Sequence, residues 1–326
     1  MMKIVILDGY TVNPGDNPWG DLARLGELVA YDRTPPDKII ERAGDADIIL
    51  TNKTPLHTDI LDRLPRLRFI AELATGYDNI DIAAAGRLGI PVANVPEYST
   101  DSVAQHTIAL LLALCNRVAE HADAVNQGEW CSSPDFSFCK APLVELAGKK
   151  FGIIGFGHIG QRVGGIAHAL GMEILAFNPH HRNRTALFSV AWLDLCEVFS
   201  SADVVSLHCP LTTDNEGFVN AELIGSMKRS AFLINTARGK LINEADLASA
   251  LGSDMIAGAA LDVVSREPIF SDNPLLHTRN CLITPHIGWA SLEARRRLTA
   301  TTIRNIEAFL DGQQANIVNA SYLCSG

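Results

Sequence analysis

Short apolar runs alternate with helix-periodic segments along the whole chain, and this alternation constrains the fold more than any other feature. The runs are four to six residues long, which is typical of strands buried on both faces. The pattern predicts an α/β fold built on mostly parallel sheets. The predicted strands are Lys3–Leu7, Asp47–Thr51, Arg68–Leu73 and Pro91–Asn94, followed by Phe151–Ile154, Glu173–Phe177, Val204–Leu207, Ala231–Asn235, Ile256–Leu261 and Cys281–Thr284.

The strands form two series, so the 326 residues predict two α/β lobes rather than one. A nearly all-apolar helix is predicted to open at Ser102, with Gln105 completing a capping box, and to lie buried. The other helical segments are predicted near Asp21–Leu28, Pro36–Ala43, Ile80–Leu88 and Leu292–Leu310.

Charge and cysteine usage exclude several classes of protein. The net charge of −10 and the absence of a basic stripe argue against nucleic acid or an anionic membrane as a partner. Seven scattered cysteines without a C-x-x-C pair predict neither a disulfide framework nor a zinc site. The first apolar run, Ile4–Leu7, is too short for a secretory signal, so a cytoplasmic location is expected.

A glycine motif follows the first strand of the second series. The residues Gly155, Gly157 and Gly160 form G-x-G-x-x-G between a predicted strand and a predicted helix. In this context the first glycine permits a tight turn, the second lets the backbone approach a pyrophosphate, and the third lets the helix pack on the strand. The motif predicts dinucleotide binding.

The strand after this motif ends in Asn178, where an acid would bind the adenosine ribose of NAD. Asparagine removes the charge that repels a 2′-phosphate, while His180, His181 and Arg182 could attract one. A solvated polar turn explains these residues equally well, and the histidine pair lacks the further ligands of a metal site. NAD(H) is favoured because no arginine directly follows the strand, but NADP(H) stays open.

Three further strand ends carry chemically competent side chains, namely Arg238, Glu267 and His286. Each alone is more simply explained as a surface or turn residue. Close to a dinucleotide-binding turn, the three together suit the reduction of a 2-keto acid. Histidine supplies a proton, the glutamate carboxylate orients the histidine, and arginine binds the carboxylate of the substrate through two parallel hydrogen bonds. The runs that carry them are Asn235–Gly239, Leu261–Pro268 and Thr284–Gly288.

With Leu73–Asp81 and Leu207–Leu211, these motifs make the chain resemble the D-isomer-specific 2-hydroxyacid dehydrogenases over nearly its full length, most of all their glycerate dehydrogenase (hydroxypyruvate reductase) branch. The resemblance implies that Arg238, Glu267 and His286 are catalytic and that metal is not required. It implies substrate binding by Thr75, Gly76 and Arg238. Lys53, at the end of a predicted strand, could add a second cation for the substrate but is equally compatible with a surface lysine. The cofactor-binding residues that it implies are Val103, Gly155, Gly157, His158, Ile159, Gly160, Asn178, His208, Cys209, Pro210, Thr236, Ala237 and Asp262.

The resemblance also implies a discontinuous architecture of two doubly wound lobes. Residues 1–99 and 291–326 would form a flavodoxin-like substrate-binding domain, and residues 100–290 a Rossmann dinucleotide-binding domain. The expected substrates are hydroxypyruvate/D-glycerate or glyoxylate/glycolate, and the expected assembly is a homodimer. The alternative is a dinucleotide-sensing interaction protein, since corepressors share this fold; turnover of a keto acid distinguishes the two.

Overall fold

The computed structural model describes residues 1–179 and 186–323, which divide into two compact units. Unit 1 comprises Met1–Ser99 together with Trp289–Gly326, and unit 2 comprises Thr100–Gly288. Unit 1 is therefore built from both ends of the sequence, and unit 2 is continuous.

Unit 1 contains a five-stranded parallel sheet with the order β2-β1-β3-β4-β5. This is the flavodoxin-like order of a doubly wound sheet. The central strands are completely buried, as the apolar runs predict. The strands of unit 1 are β1 Lys3–Ile6, β2 Glu27–Ala30, β3 Ile48–Thr51, β4 Phe69–Glu72 and β5 Val92–Ala93, and its helices are α1 Ile39–Ala43, α2 Thr58–Leu61, α3 Ile82–Arg87 and α10 Leu292–Leu310.

Unit 2 contains a seven-stranded parallel sheet with the order β12-β11-β10-β9-β6-β7-β8. The order reverses between β6 and β9, which makes this a Rossmann sheet extended by one strand. Its strands are β6 Lys150–Ile154, β7 Glu173–Phe177, β8 Val190–Trp192, β9 Val204–Leu207, β10 Phe232–Asn235, β11 Gly258–Leu261 and β12 Cys281–Ile283. Its helices are α4 Thr100–Asn116, α5 Val118–Asn126, α6 His158–Ala169, α7 Leu195–Ser201, α8 Ala221–Gly225 and α9 Glu244–Gly252.

The two parallel sheets confirm the predicted fold class. The bounds predicted for β7 and β9 and for the last helix, α10, match the structure to the residue. Helix α4 is buried as expected, with Ile108, Leu111 and Cys115 in the core beside β6. Within the described residues no single helix has the length and apolarity to cross a membrane; one pair, α4 and α5, bent by 55°, passes that test by length and composition together.

Two predictions about local structure are wrong. The segment Asp21–Leu28 is not a helix, because after a short 3-10 turn the chain enters β2, which pairs with β1 from Glu27 onward. Sheet pairing overrides the helical periodicity there, and the strand itself is half-exposed. Ser102 does not cap α4, because the helix begins at Thr100 and the Ser102 hydroxyl donates instead to the Gly288 carbonyl at 2.6 Å.

Candidate functional site

The candidate residues of unit 2 follow the carboxyl ends of parallel strands, and these ends meet at one edge of the sheet. The topological switch point between β6 and β9 lies at this edge, where ligands of doubly wound sheets bind. The residues that directly follow a strand are Gly155 after β6, Asn178 after β7, His208 after β9, Thr236 after β10, and Asp262 after β11; His286 follows β12 by three positions.

The glycine turn, Gly155–Gly160, has the geometry that a pyrophosphate requires. Gly155 has φ +94°, and a Cβ there would lie 2.7 Å from the Cys209 nitrogen, so only glycine fits. A Cβ on Gly160 would collide with the Gly155 carbonyl oxygen, whereas one on Gly157 would meet open space. Because Gly157 also precedes α6 and offers no side chain as a cap, the helix N-terminus is accessible to an anion. These residues, with His158 and Ile159 in the first turn of α6, fit a dinucleotide.

Uncharged groups follow β9 at the same edge. The His208 Nε2 lies 2.9 Å from the Ser206 hydroxyl, and burial lowers the pKa of His208 to about 3, so its imidazole is neutral. Burial also raises the pKa of the Cys209 thiol to about 11. Pro210 is exposed next to them, and Asn178 is half-buried at the end of β7. At this edge of the sheet, no positive charge comes from His208, Cys209, Pro210 or Asn178.

Helix α4 contacts the turn after β10. The Thr107 hydroxyl lies 3.0 Å from the Thr236 hydroxyl and donates to the Val103 carbonyl at 2.8 Å. This bond ties the turn to the helix segment that holds the buried Val103 side chain. Ala237 follows, with its N–H bound to the Asn235 side chain at 3.0 Å, so the turn that presents Arg238 is fixed on both sides.

Arg238 is half-buried, and one guanidinium nitrogen donates to the Ala237 carbonyl at 2.9 Å. The next residue, Gly239, packs directly on the Val264 backbone, where any Cβ would collide with the Val264 carbonyl group. The Val264 N–H in turn donates to the Glu267 Oε1 at 3.3 Å. The loop of Arg238 and the loop of Glu267 are thus packed against each other.

His286 and Glu267 form a short side-chain contact in this region. The His286 Nδ1 lies 2.6 Å from the Glu267 Oε2, and the two side chains are 28% and 35% exposed. With Nδ1 occupied by the carboxylate, Nε2 is the imidazole atom that remains for a substrate. His286 also adopts φ +55°, an unusual conformation for a residue other than glycine that is typical of functional positions.

The Asp262 carboxylate is hydrogen-bonded to the loop that contains His286. It accepts hydrogen bonds from the backbone N–H groups of Ile287 (2.9 Å) and Gly288 (2.8 Å). The Thr284 hydroxyl donates to it at 2.6 Å, and the His106 Nε2 lies 3.2 Å away. Burial alone would raise the pKa of Asp262, but these partners outweigh burial and hold it below its usual value. The carboxylate is therefore charged and internally satisfied.

In unit 1 the residues implied in substrate binding follow β3 and β4. Thr75 is exposed, and its hydroxyl donates to the Val95 carbonyl at 2.8 Å. Among the described residues, the backbone N–H groups of Thr75 and Gly76 donate to no acceptor. Lys53 is exposed, in a loop whose N–H groups at residues 52, 53 and 54 all donate to the Asp8 carboxylate at 2.6–2.8 Å.

Sequence reasoning missed the residues that support these loops. His106 and Thr284 join Asp262 across 156 and 22 positions of the chain, and Asp8 organises a loop 44 positions away. The available indication was weak: His106 is a polar residue at the start of the apolar part of its helix, and Asp8 directly follows a predicted buried strand. His180, His181 and Arg182 lie outside the described residues, and within the described part no cluster of three metal-ligating side chains occurs.

Comparison with known proteins gives one consistent family. Residues 108–288 match the family model described as "D-isomer specific 2-hydroxyacid dehydrogenase, NAD binding domain". The chain is 49% identical to a hydroxypyruvate reductase of Blautia hydrogenotrophica over 98% of its length and 100% of that protein. It is 40% identical to a glycerate dehydrogenase of Methylorubrum extorquens, covering 90% of this chain and 92% of the other.

A solved structure agrees in fold. The NADPH-dependent glyoxylate/hydroxypyruvate reductase of Sinorhizobium meliloti, in complex with citrate, superposes with a TM-score of 0.84 at 26% identity and 99% coverage of both chains. The likeness thus extends over both units.

Proposed function

Because the chain belongs to the D-isomer-specific 2-hydroxyacid dehydrogenase family, and is an oxidoreductase with an NAD-binding domain, we propose that it reduces hydroxypyruvate to D-glycerate and glyoxylate to glycolate. The observation that carries the proposal is the 2.6 Å contact between His286 Nδ1 and Glu267 Oε2, which orients an imidazole at the nucleotide edge of the sheet. The relatives described above are all named as enzymes, which favours catalysis over the corepressor alternative.

In this proposal three side chains of unit 2 perform the chemistry. The bound nicotinamide supplies the hydride. His286 holds a proton at Nε2 and donates it to the carbonyl oxygen of the keto acid. Glu267 keeps the imidazole in that orientation through its contact with Nδ1. Arg238 binds the substrate carboxylate and polarises the adjacent carbonyl group.

The cofactor is proposed to lie on the glycine turn. The N–H groups at the start of α6 would bind its phosphates, Asn178 its adenosine ribose, and His208 to Pro210 would flank its adenine. Val103, Thr236 and Ala237 would line the nicotinamide, and Asp262 would face its carboxamide. NAD(H) is the proposed preference, since no arginine directly follows β7.

Unit 1 is proposed to bind substrate and unit 2 the dinucleotide. The paired N–H groups of Thr75 and Gly76, with the Lys53 ammonium, would bind the substrate carboxylate. A cytoplasmic homodimer is also proposed, on the resemblance to the family; light scattering of the purified protein measures the assembly.

A panel of initial rates tests the proposed activity. NADH and NADPH are each combined with hydroxypyruvate, glyoxylate and pyruvate, and the nicotinamide absorbance is followed. The proposal expects turnover with the first two acids and a higher kcat/KM with NADH. Tight cofactor binding without turnover of any acid would favour the corepressor alternative and contradict the enzyme.

A further inference from the structure

Glu72 is a completely buried acid at the carboxyl end of β4, and one of its oxygens has no partner. The Asn79 amide donates to Oε2 at 3.1 Å, while Oε1 accepts no hydrogen bond from the described residues. A buried carboxylate without an ionic partner is costly, so the neutral form is favoured. In agreement, burial raises the pKa of Glu72 well above its ordinary value, against the smaller lowering effect of the Asn79 bond.

Asn79 connects this buried acid to both loops of the proposed carboxylate site. The same amide that binds Glu72 also donates to the Thr54 carbonyl at 3.3 Å, in the loop next to Lys53. Thr75 and Gly76 lie between Glu72 and Asn79 in the sequence, on the turn that the Glu72–Asn79 bond closes. These two hydrogen bonds of the Asn79 amide therefore tie the Thr75–Gly76 turn to the loop that contains Lys53.

Two acidic side chains and one basic side chain act on the Glu72 carboxyl group. Asp8 and Asp78 disfavour its ionisation, and Lys53 favours it. If Glu72 were ionised, it would add a third negative charge beneath the loops that are proposed to take an anion, and it would compete with the substrate for Lys53.

We infer that Glu72 is a positioning residue: its uncharged carboxyl group braces the Lys53 loop and the Thr75–Gly76 turn, and keeps negative charge away from the carboxylate of the 2-keto acid. The role of Glu72 toward the substrate rests on the proposed function, whereas the uncharged state of the Glu72 side chain does not. Two separate measurements test the uncharged state and the role toward the substrate.

The first measurement is the melting temperature between pH 5 and pH 9, without ligand. The folded protein keeps the Glu72 proton to a higher pH than the unfolded chain, so the stability it contributes is full below the ordinary carboxyl pKa and is lost as pH rises through the folded value. Relative to Glu72→Gln, the wild-type protein is expected to lose about 2–6 °C across this range. Glu27→Gln, at an exposed acid of the same sheet, serves as the control and should follow the wild type. Parallel curves for wild type and Glu72→Gln would overturn the inference.

The second measurement is the KM for hydroxypyruvate over the same pH range. From neutral pH to pH 9 the wild-type KM should rise about 3- to 10-fold more than that of Glu72→Gln, with a smaller change in kcat. Glu72→Leu, which is neutral but removes the acceptor for Asn79, should raise KM at every pH. Equal pH profiles of KM, or an unchanged KM in Glu72→Leu, would reduce Glu72 to a structural residue. Absence of turnover in the wild type would remove the substrate part together with the proposed function, while the melting curves still decide the state of Glu72.

Discussion

The His286 backbone is fixed through Asp262: its N–H donates to the Asp262 carbonyl oxygen at 2.8 Å. The Asp262 carboxylate then binds the next two N–H groups, so three consecutive peptide units are attached to one buried residue. This attachment explains how His286 is held at φ +55° while its side chain reaches Glu267. Asp262 thus orients the imidazole through the backbone, in addition to any contact with a cofactor.

Replacing Asp262 with Asn is expected to lower the free energy of unfolding at pH 7 by about 2 kcal/mol, because charge-assisted hydrogen bonds to buried donors are lost. The lowered pKa of Asp262 means that its contribution is present above the ordinary carboxyl pKa and is lost as pH falls through the lower folded value. The difference between variant and wild type should therefore be constant from pH 6 to 8 and shrink below about pH 4. Urea unfolding at each pH measures it, and a difference independent of pH would contradict this account.

Replacing His286 with Asn should reduce kcat for hydroxypyruvate by about 10²- to 10⁴-fold, because the proton donor is lost. NADH binding, followed by fluorescence, should remain close to that of the wild type since the glycine turn is untouched. An unchanged kcat would remove His286 from the proposed mechanism.

Replacing Glu267 with Gln keeps a hydrogen-bonding side chain beside His286 but removes the carboxylate that orients the imidazole. The kcat for hydroxypyruvate reduction should then fall about 10- to 100-fold, because the proton donor is less well positioned. Initial rates at saturating substrate measure this, and an unchanged kcat would show that the pair has no catalytic coupling.

Replacing Gly157 with Ala tests the cofactor position separately from catalysis. The added Cβ meets no protein atom within 4 Å, so the fold should be retained, but it occupies the space assigned to the pyrophosphate. NADH affinity is expected to fall about 10- to 100-fold. Gly252→Ala, where a Cβ also meets nothing, is the matched control in unit 2. Equal NADH affinity in the two variants would place the phosphates elsewhere.

Replacing Asn178 with Asp should increase the preference for NADH over NADPH about tenfold, because a carboxylate binds the ribose hydroxyls and repels a 2′-phosphate. The ratio of kcat/KM values for the two cofactors measures the change. If the ratio stays the same, Asn178 does not govern the choice of cofactor.

The parts of the fold that the sequence predicts well are those determined by local pattern. The strands β7 and β9 are mostly apolar and mostly buried, and their predicted bounds match the structure. The edge strands β2 and β8 are half-exposed and short, and they exist because a neighbouring strand pairs with them. No short stretch of the sequence shows which strand will pair with which neighbour.

The same limit applies to the candidate site. Arg238, Glu267 and His286 are recognisable because each follows a strand in a characteristic motif. The His106–Asp262 contact and the Glu72–Asn79 bond depend on tertiary packing, and their residue types alone do not distinguish them from solvated side chains. Supporting residues of this kind are therefore visible only in three dimensions.

The discontinuity of unit 1 has a consequence for biosynthesis. Helix α10 packs against β4, and its Arg295 guanidinium donates a hydrogen bond to the Asp16 carboxylate. The Asn319 side chain accepts a hydrogen bond from the Val92 N–H. The first 99 residues leave the ribosome long before these partners exist, whereas everything that unit 2 needs is already present when residue 288 emerges. Nascent chains should thus fold unit 2 first, and residues 1–99 must wait, incompletely packed, for helix α10.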